Sequence, residues 1–273
     1  MMLARAARLH STAIAADSTV SPPSAGSEPY RPDNVLDRLS RRSTLARYYE
    51  HIMGRERLLL DRRLPLTSGD VLSIGCGWHP GRHLFPAPAF RLVGVDSQPD
   101  RVTGVLESGR ANEAFVGQAG RLDVPDGSFD VVLYRLVLHH LAFHGPLEPY
   151  FSEAARLLRP GGALIAIEPG SRHPVGLALG LANRLGVATA IHGTPDDIPL
   201  SPTRLVREAR AAGLTAEIHA VTYLWRRLVP SLQTALAPLD ALGSRPRAAP
   251  FGHTLMLIAR RPDSRAGSTA VNV

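Results

Sequence analysis

The feature that most constrains the fold of this chain is a series of short apolar segments separated by turns and amphipathic stretches. Segments of this length fit buried strands better than helices, and several of the stretches between them have apolar residues at helical spacing. Near-continuous apolar strands that alternate with helices are typical of a parallel sheet covered on both faces. The predicted strands are residues 70–74, 91–96, 114–119, 129–135 and 162–168.

The segments around this series are predicted to add helices and two closing strands. Apolar residues recur at helical spacing over 35–63, and 146–158 is an amphipathic helix between the fourth and fifth strands. Residues 201–213 start with Ser-Pro and end at a glycine, which favours a helix. The closing strands are predicted at 214–224 and 251–261. The fold class is therefore α/β.

A glycine turn, Gly-Cys-Gly-Trp-His-Pro-Gly over 75–81, directly follows the first strand. A turn at this place lets a ligand approach the backbone and directs N–H groups at it. Asp96 closes the second strand about 20 residues downstream, where an acid can accept the hydroxyl groups of an adenosine ribose. The spacing of Gly75, Gly77 and Gly81 departs from the dinucleotide pattern, which has two residues before its last glycine.

Composition excludes several classes of enzyme. All 31 basic residues are arginines, so there is no lysine for a Schiff base, for a Gly-Lys-Ser/Thr phosphate loop or for the Tyr-x-x-x-Lys pair of short-chain dehydrogenases. Cys76 is the single cysteine, which excludes an intrachain disulfide and a multi-cysteine zinc site. We expect a cytoplasmic location, because this cysteine usage fits a reducing compartment.

The formal net charge of +7 is unevenly distributed. Residues 1–63 and 204–273 are basic, whereas 64–203 is mildly acidic. Basic flanks attract anions and nucleic acids, but aromatic residues are only 5% of the chain and no basic run is interleaved with stacking side chains. We therefore expect solvated surface arginines and no nucleic-acid partner. No apolar run reaches the length of a membrane span, so we expect no stable membrane insertion.

Four ordered motifs extend the glycine turn into a longer pattern. They are Val-Leu-Ser-Ile-Gly-Cys-Gly over 71–77, Val-Gly-Val-Asp over 93–96, and the segments 117–141 and 155–169. Together they resemble the class I S-adenosylmethionine-dependent methyltransferases, and most closely the small-molecule branch typified by the ubiquinone/menaquinone methyltransferases (type 11). The resemblance implies S-adenosyl-L-methionine as the cofactor. It also implies a doubly wound, Rossmann-like, seven-stranded and mainly parallel sheet whose last strand is antiparallel.

The resemblance also assigns residues to the cofactor by position. The end of the second strand would bind the ribose hydroxyls, the segment after the third strand would meet the adenine, and the end of the fourth strand would lie near the methionine portion. The full set implied in this way is Ser73, Gly75, Gly77, Asp96, Ser97, Gln98, Gln118, Ala119, Tyr134 and Arg135.

Two of these positions depart from the family pattern. The family usually has an acid where Ser73 stands, and that acid helps to hold the amino group of the methionine portion. It commonly has Asp where Gln118 stands, although the amide oxygen of Gln can still accept a hydrogen bond. In addition, Pro80, Pro86 and Pro88 predict a shortened helix after the glycine turn.

Two adjacent histidines, His139 and His140, follow the fourth strand. A neutral imidazole is suited to remove a proton from the methyl acceptor, and His140 is our first choice for this base. The alternative is that either ring only packs or forms a hydrogen bond, because Leu-His-His-Leu is common in the family whatever the substrate. Adjacent histidines do not face one site on a helix, so we expect no metal. Other side chains expected near the pocket or over the cofactor are Tyr48, Tyr49, His79, Glu168, His173 and His192.

The predicted organisation has four parts. A Ser/Pro/Gly-rich start is expected to be disordered, with a transit peptide as the alternative for its first residues, and a helical lid follows it. Helical insertions in the methyltransferase domain are expected to build the acceptor pocket, with plain core packing as the alternative for their apolar faces. The ranges are 1–32 for the disordered segment, 33–66 for the lid, 67–262 for the domain, 174–191 and 225–242 for the insertions, and 263–273 for the tail.

The sequence thus predicts S-adenosylmethionine-dependent methyl transfer to a small-molecule acceptor, hydrophobic or aromatic in character. One alternative is a catalytically silent relative that serves as a binding or scaffold protein, suggested by Ser73 and Gln118. Another is an RNA methyltransferase that uses the basic flanks, and a nucleotide-dependent oxidoreductase is disfavoured by the missing lysine. The acceptor atom (O, N or C) stays open, as does homodimer formation.

Overall fold

The computed structural model describes residues 42–185 and 198–263. The predictions for 1–32, for His192 and for most of the tail lie outside these residues. The first part of the predicted lid and the end of the insertion at 174–191 lie outside them as well. Within the described ranges, the chain forms one seven-stranded sheet with helices on both sides.

Helices and strands alternate along most of the described chain, as the sequence predicts. The strands are β1 (Gly69–Ile74), β2 (Phe90–Asp96), β3 (Glu113–Val116), β4 (Phe129–Arg135), β5 (Leu158–Pro169), β6 (Thr215–Thr222) and β7 (Thr254–Arg260). The α-helices are α1 (Arg42–Arg63), α2 (Pro99–Glu107), α3 (Leu138–His144), α4 (Glu148–Leu157), α5 (Pro174–Arg184), α6 (Pro202–Ala211) and α7 (Pro230–Leu236). Short 3₁₀ helices cover Ala237–Leu242 and Ala249–Phe251.

The strand order of the sheet is β3-β2-β1-β4-β5-β7-β6. Strands β1 to β5 pair in parallel, and β7 pairs antiparallel with both β5 and β6. The predicted doubly wound, mainly parallel sheet with an antiparallel last strand is therefore confirmed. The order reverses between β1 and β4, and ligands of such sheets bind at the carboxyl ends of the strands beside this reversal.

Both faces of the sheet are buried, because alternate residues of a strand point to opposite sides. On one side, Val71 of β1 belongs to a cluster with Ile52 and Leu59 of α1. On the other side, Leu72 belongs to a second cluster with Phe151 of α4. The described part of the predicted lid, α1, is thus a layer of the domain. Each large apolar side chain that it buries contributes about 1.5–3 kcal/mol to folding.

The connection between β1 and β2 contains no helix, whereas the sequence predicts a shortened one. Prolines in this segment lack the N–H groups that a helix needs. A side chain supplies donors to the carbonyl groups instead: the Arg82 guanidinium donates to the C=O groups of Phe85 and Phe90 at 3.1 Å and of Arg110 at 3.0 Å. The loop is therefore held by one arginine rather than by helical hydrogen bonds.

The predicted helix over 225–242 is shorter than expected. Only Pro230–Leu236 is α-helical, and Ala237–Leu242 continues as a 3₁₀ helix. Pro230 determines where the helix begins, because proline fits the first turn of a helix but not its interior.

Two negative findings hold for the described ranges, 42–185 and 198–263. No helix there combines the length and the apolar character that crossing a membrane requires. No group of three or more His, Cys, Asp or Glu side chains there is arranged to hold a metal ion.

Candidate active site

The glycine turn after β1 has backbone angles that favour glycine. The φ angles of Gly75, Gly77 and Gly81 are 65°, 51° and 89°. A Cβ atom at Gly75 would overlap the side chain of Val137, which follows β4. At Gly77, by contrast, no atom of the described chain lies within 4 Å of such a Cβ. Gly75 is therefore required for packing, whereas Gly77 leaves a stretch of backbone open to a ligand.

Asp96, the last residue of β2, is fixed beside this turn. Its Oδ2 accepts a hydrogen bond from the Gly77 N–H at 2.9 Å, and its Oδ1 accepts one from the Gln98 N–H at 3.0 Å. Each carboxylate oxygen can accept a further hydrogen bond, so Asp96 can still bind two ligand hydroxyls. The side chain is half-buried, and Ser97 and Gln98 are exposed next to it.

The predicted adenine-side residues lie in the loop that follows β3. The Gly117 N–H donates to the Asp96 carbonyl at 3.0 Å, which places this loop against the end of β2. Gln118 is exposed, and Ala119 packs against the core. The sheet order therefore brings Gln118 and Ala119 to the same edge as Asp96.

The two residues that close β4 point to opposite sides of the sheet. The Tyr134 side chain is fully buried, its hydroxyl donates to the Tyr150 carbonyl at 3.1 Å, and burial raises its pKa. The Tyr134 side chain therefore fills the core, so the prediction that the end of β4 lies near the methionine portion applies to the backbone of Tyr134 and not to its side chain. Arg135 points to the side of α1 instead, where it meets Glu56.

Glu56 of α1 is a buried acid that the sequence interpretation missed. Its carboxylate accepts hydrogen bonds from Arg135 Nε at 3.1 Å and Nη2 at 3.2 Å, and it lies 2.7 Å from His83 Nε2. Burial would raise the pKa of Glu56, but Arg135 and then His83 outweigh it and lower that pKa. One sequence signal could have identified Glu56: it is an acid that lies at helical spacing within the apolar face formed by Ile52 and Leu59.

Ser73 lies buried in β1, in register with Gly94 and Leu133. This register places Ser73 on the same side of the sheet as α1. The carboxylate on this side, next to the end of β4, therefore comes from Glu56 of α1 rather than from β1.

Glu168 lies fully buried near the end of β5, whereas the sequence predicts it at the pocket mouth. Its Oε1 accepts the N–H groups of Val137 at 3.1 Å and Leu138 at 2.8 Å, and its Oε2 lies 2.6 Å from Nδ1 of His139. The carboxylate is drawn inward because it satisfies the N–H groups at the start of α3. Glu168 therefore joins β5 to the histidine segment.

The two candidate bases differ in their surroundings. His139 is buried and paired with Glu168, whereas His140 is half-buried, and the two ring centroids lie 4.0 Å apart. When Nδ1 of His139 donates to Glu168, Nε2 is the nitrogen that can accept a proton. A carboxylate that orients an imidazole in this way is the arrangement found in general-base sites.

The remaining predicted residues lie around the end of β5 and in the glycine turn. His173 caps α5 by accepting the Val175 N–H at 3.2 Å, and its Nε2 donates to the Tyr223 carbonyl at 3.1 Å. Its ring lies 5.0 Å from His253. His79 lies in the glycine turn, where partial burial, Arg135 and then His83 lower its pKa to about 4.

Tyr48, which is buried, and Tyr49 project from α1. The Tyr48 hydroxyl lies 3.4 Å from Nδ1 of His253, directly before β7, and its ring meets Tyr49 edge-on at 5.6 Å. Because β7 is antiparallel, its start lies at the carboxyl edge of the other strands. Tyr48 therefore reaches the ligand edge of the sheet but faces the start of β7 rather than the glycine turn.

Residues 72–166 match the family model of a methyltransferase domain. The matched segment runs from β1 into β5 and includes the glycine turn, Asp96 and His139. It leaves out α1 and everything after β5.

Curated relatives of the chain include methyltransferases. A probable S-adenosylmethionine-dependent methyltransferase of Mycolicibacterium smegmatis is 32% identical over 146 residues, 54% of this chain and 48% of that protein. The 27-O-demethylrifamycin SV methyltransferase of Amycolatopsis mediterranei is 34% identical over 109 residues, 37% of this chain and 39% of that protein. The trans-aconitate 2-methyltransferase of Streptomyces coelicolor is 27% identical over 223 residues, which are 74% of this chain and 70% of that protein. This chain thus matches less than half of the length of the Mycolicibacterium smegmatis and Amycolatopsis mediterranei proteins.

Solved structures share the fold. A methyltransferase of Thermotoga maritima, described as a possible histamine N-methyltransferase, has a TM-score of 0.55 at 16% identity, covering 80% of this chain and 96% of that one. The cyclase SpnF has a TM-score of 0.51 at 22% identity, and the superposition covers 77% of this chain and 81% of that one. At these identities the likeness establishes the fold alone.

The doubly wound sheet is the fold of these solved structures, and the segment of it from β1 into β5 matches the methyltransferase-domain model. Relatives of this segment are described as dependent on S-adenosylmethionine. The family match and the curated relatives therefore make this chain similar to S-adenosylmethionine-dependent methyltransferases.

Proposed function

We propose that the protein transfers a methyl group from S-adenosyl-L-methionine to a small hydrophobic or aromatic acceptor, as in the small-molecule branch that it resembles. The observation that carries this proposal is the pairing of two sites at one sheet edge. Asp96 is fixed against the glycine turn, and His139, oriented by Glu168, follows the neighbouring strand β4. A nucleoside site next to an oriented imidazole suits a reaction in which the acceptor must lose a proton.

The residues at the glycine turn fit the cofactor. Gly77 leaves open backbone, and Asp96 has acceptor capacity for two ribose hydroxyls. Gln118 lies at the same edge, where its amide oxygen could accept from the adenine amino group. When bound there, the cofactor supplies a methyl group already activated by a positively charged sulfur.

The chain's own contribution is to position the acceptor and to move one proton. Nε2 of His139 takes the proton from an O–H or N–H group of the acceptor as that atom becomes the nucleophile. The Glu168 carboxylate holds the ring through Nδ1 and stabilises the imidazolium that forms. The ring of His140 packs against that of His139, with the two centroids 4.0 Å apart. The rest is positioning, which accounts for much of the rate of such reactions.

The apolar character of the acceptor is supported by α5, which follows the end of β5. Leu177, Leu181 and Leu185 are 61%, 59% and 69% exposed and are spaced four residues apart, so they form one apolar stripe. Exposed apolar stripes mark binding surfaces. The relatives that methylate trans-aconitate and a rifamycin are consistent with small-molecule acceptors, although these are different molecules.

Calorimetric titration of the protein with S-adenosylmethionine and S-adenosylhomocysteine tests the proposal. We expect micromolar binding of both, and a loss of at least about tenfold in Asp96→Ala. Asp100→Ala, an exposed acid at the start of α2, is the matched control and should bind as the unmodified protein does. A folded protein that binds neither compound would overturn the assignment.

A second candidate, a binding protein without methyl transfer, is favoured by Ser73 and Gln118 and by the fold shared with the cyclase SpnF. It predicts that folded protein with bound S-adenosylmethionine releases no S-adenosylhomocysteine with any member of a panel of phenols, carboxylic acids and amines. Release with any one of these acceptors would exclude it.

A further inference from the structure

We propose that helix α1 takes part in cofactor binding: Arg135 binds the α-carboxylate at the amino-acid end of the cofactor, and Glu56 positions Arg135 for this contact. The inference rests on the proposed function, because it concerns the same cofactor. It adds a residue from outside the segment that matches the methyltransferase domain, since that match starts at residue 72.

The hydrogen bonds of Arg135 leave one end of its guanidinium for a ligand. Glu56 occupies the Nε and Nη2 edge, at 3.1 and 3.2 Å. Among the described residues, no partner is observed for Nη1. A guanidinium whose side edge is fixed by one carboxylate can present its terminal nitrogens to a second one in a defined plane.

The position of Arg135 fits this role. It is the last residue of β4, and β4 pairs with β1 directly before the glycine turn. Its charge also reaches into that turn, because Arg135 contributes to the lowered pKa of His79. The guanidinium therefore lies between α1 and the backbone that the cofactor is expected to approach.

Burial makes Glu56 necessary for this arrangement. The side chains of Arg135 and Glu56 are 11% and 1% exposed, so neither charge is well solvated. A buried guanidinium without a counter-charge is strongly disfavoured and would turn towards water. His83 pairs with the same Glu56 carboxylate and fixes it from the side of the loop after the glycine turn. Glu56 thus determines where the Arg135 guanidinium points.

The alternative is that Glu56 and Arg135 form an ion pair that only ties α1 to the sheet. The two interpretations differ in which ligand is affected. A structural pair affects all ligands of the site alike, whereas a carboxylate contact affects only ligands that have the amino-acid end. 5′-Methylthioadenosine keeps the adenosine and the thioether of S-adenosylhomocysteine but lacks that end.

The test compares the affinities of S-adenosylhomocysteine and 5′-methylthioadenosine by calorimetry. Unmodified protein should prefer S-adenosylhomocysteine. In Glu56→Gln and in Arg135→Gln, we expect affinity for S-adenosylhomocysteine to fall about tenfold, the effect of one charge-assisted contact, and affinity for 5′-methylthioadenosine to stay within about twofold.

Glu153→Gln is the matched control. Glu153 is another buried glutamate paired with an arginine, Arg156, but it lies on α4 at the opposite face of the sheet. This variant should keep the preference of the unmodified protein. An equal loss for both ligands in Glu56→Gln, or an unchanged preference, would overturn the inference. Failure of unmodified protein to bind either ligand would instead overturn the proposed function.

Discussion

Nδ1 of His139 lies 2.6 Å from Oε2 of Glu168, so a buried carboxylate of β5 orients an imidazole that follows β4. The same carboxylate accepts the N–H groups of Val137 and Leu138. One side chain therefore fixes both the ring and the backbone that holds it. We therefore expect Glu168 to affect stability directly, apart from the role in proton transfer that we propose for it.

Glu168→Gln should destabilise the fold by about 2 kcal/mol, because an amide group offers one acceptor oxygen and turns its NH₂ towards buried donors. Urea unfolding measures this loss. Glu148→Gln, at the exposed start of α4, removes an acid without such partners and should change stability little. Equal stability of the two variants would contradict the role of Glu168.

His139→Gln should lower kcat by about a hundredfold or more, because it removes the proposed general base. His140→Gln should lower kcat by less than about tenfold, since we assign the proton transfer to His139 and not to His140. Turnover is measured as S-adenosylhomocysteine release, with binding of S-adenosylmethionine as the control for an intact cofactor site. A larger loss of kcat in His140→Gln than in His139→Gln would instead identify His140 as the general base.

Gly77→Ala should cost about 1–2 kcal/mol of stability through its positive φ and should also weaken cofactor binding, because the methyl group enters open space beside Asp96. Gly109→Ala is the matched control, with a φ of 63° and equally open surroundings. It should lose similar stability and no affinity. Calorimetry with S-adenosylhomocysteine separates the two variants, and equal affinities would contradict a ligand site at Gly77.

The protein should lose stability as the pH falls from about 6.5 towards 3. Burial, then His173 and Arg226, lower the pKa of His253 to about 3, so the unfolded chain binds a proton there before the folded chain does. The stabilisation that His253 contributes is fully present when the pH is above the pKa of this residue in the unfolded chain, and it declines as the pH falls below that value. Urea unfolding at pH 7 and pH 5 should show a smaller pH effect in His253→Phe than in unmodified protein. His144→Phe, at an exposed position of α3, should keep the full effect.

The strands and the glycine turn could be predicted because both depend on local sequence. Apolar runs of a few residues favour buried strands, and a turn with positive φ requires glycine wherever the rest of the chain lies. The position of Asp96 followed from the end of its strand. Its hydrogen bond with Gly77 needed only the pairing of two neighbouring strands.

The positions of Glu56 and Glu168 could not be predicted in the same way. Arg135 lies 79 residues from Glu56, and nothing local relates them. Tyr134 and Arg135 also show that a motif position does not reveal which side of the sheet a side chain faces. The loop after the glycine turn is a third case. Its prolines predict a shortened helix, but no helix forms there, and the Arg82 side chain supplies donors to the carbonyl groups of Phe85 and Phe90.

The packing of α1 on the sheet has a consequence for which piece of this chain can fold independently. A fragment trimmed to the matched segment, or begun at residue 67, would lack the helix that covers Val71 and its neighbours. That fragment would present an apolar sheet face to water and self-associate. We therefore expect the smallest fragment of this chain that folds independently to include α1.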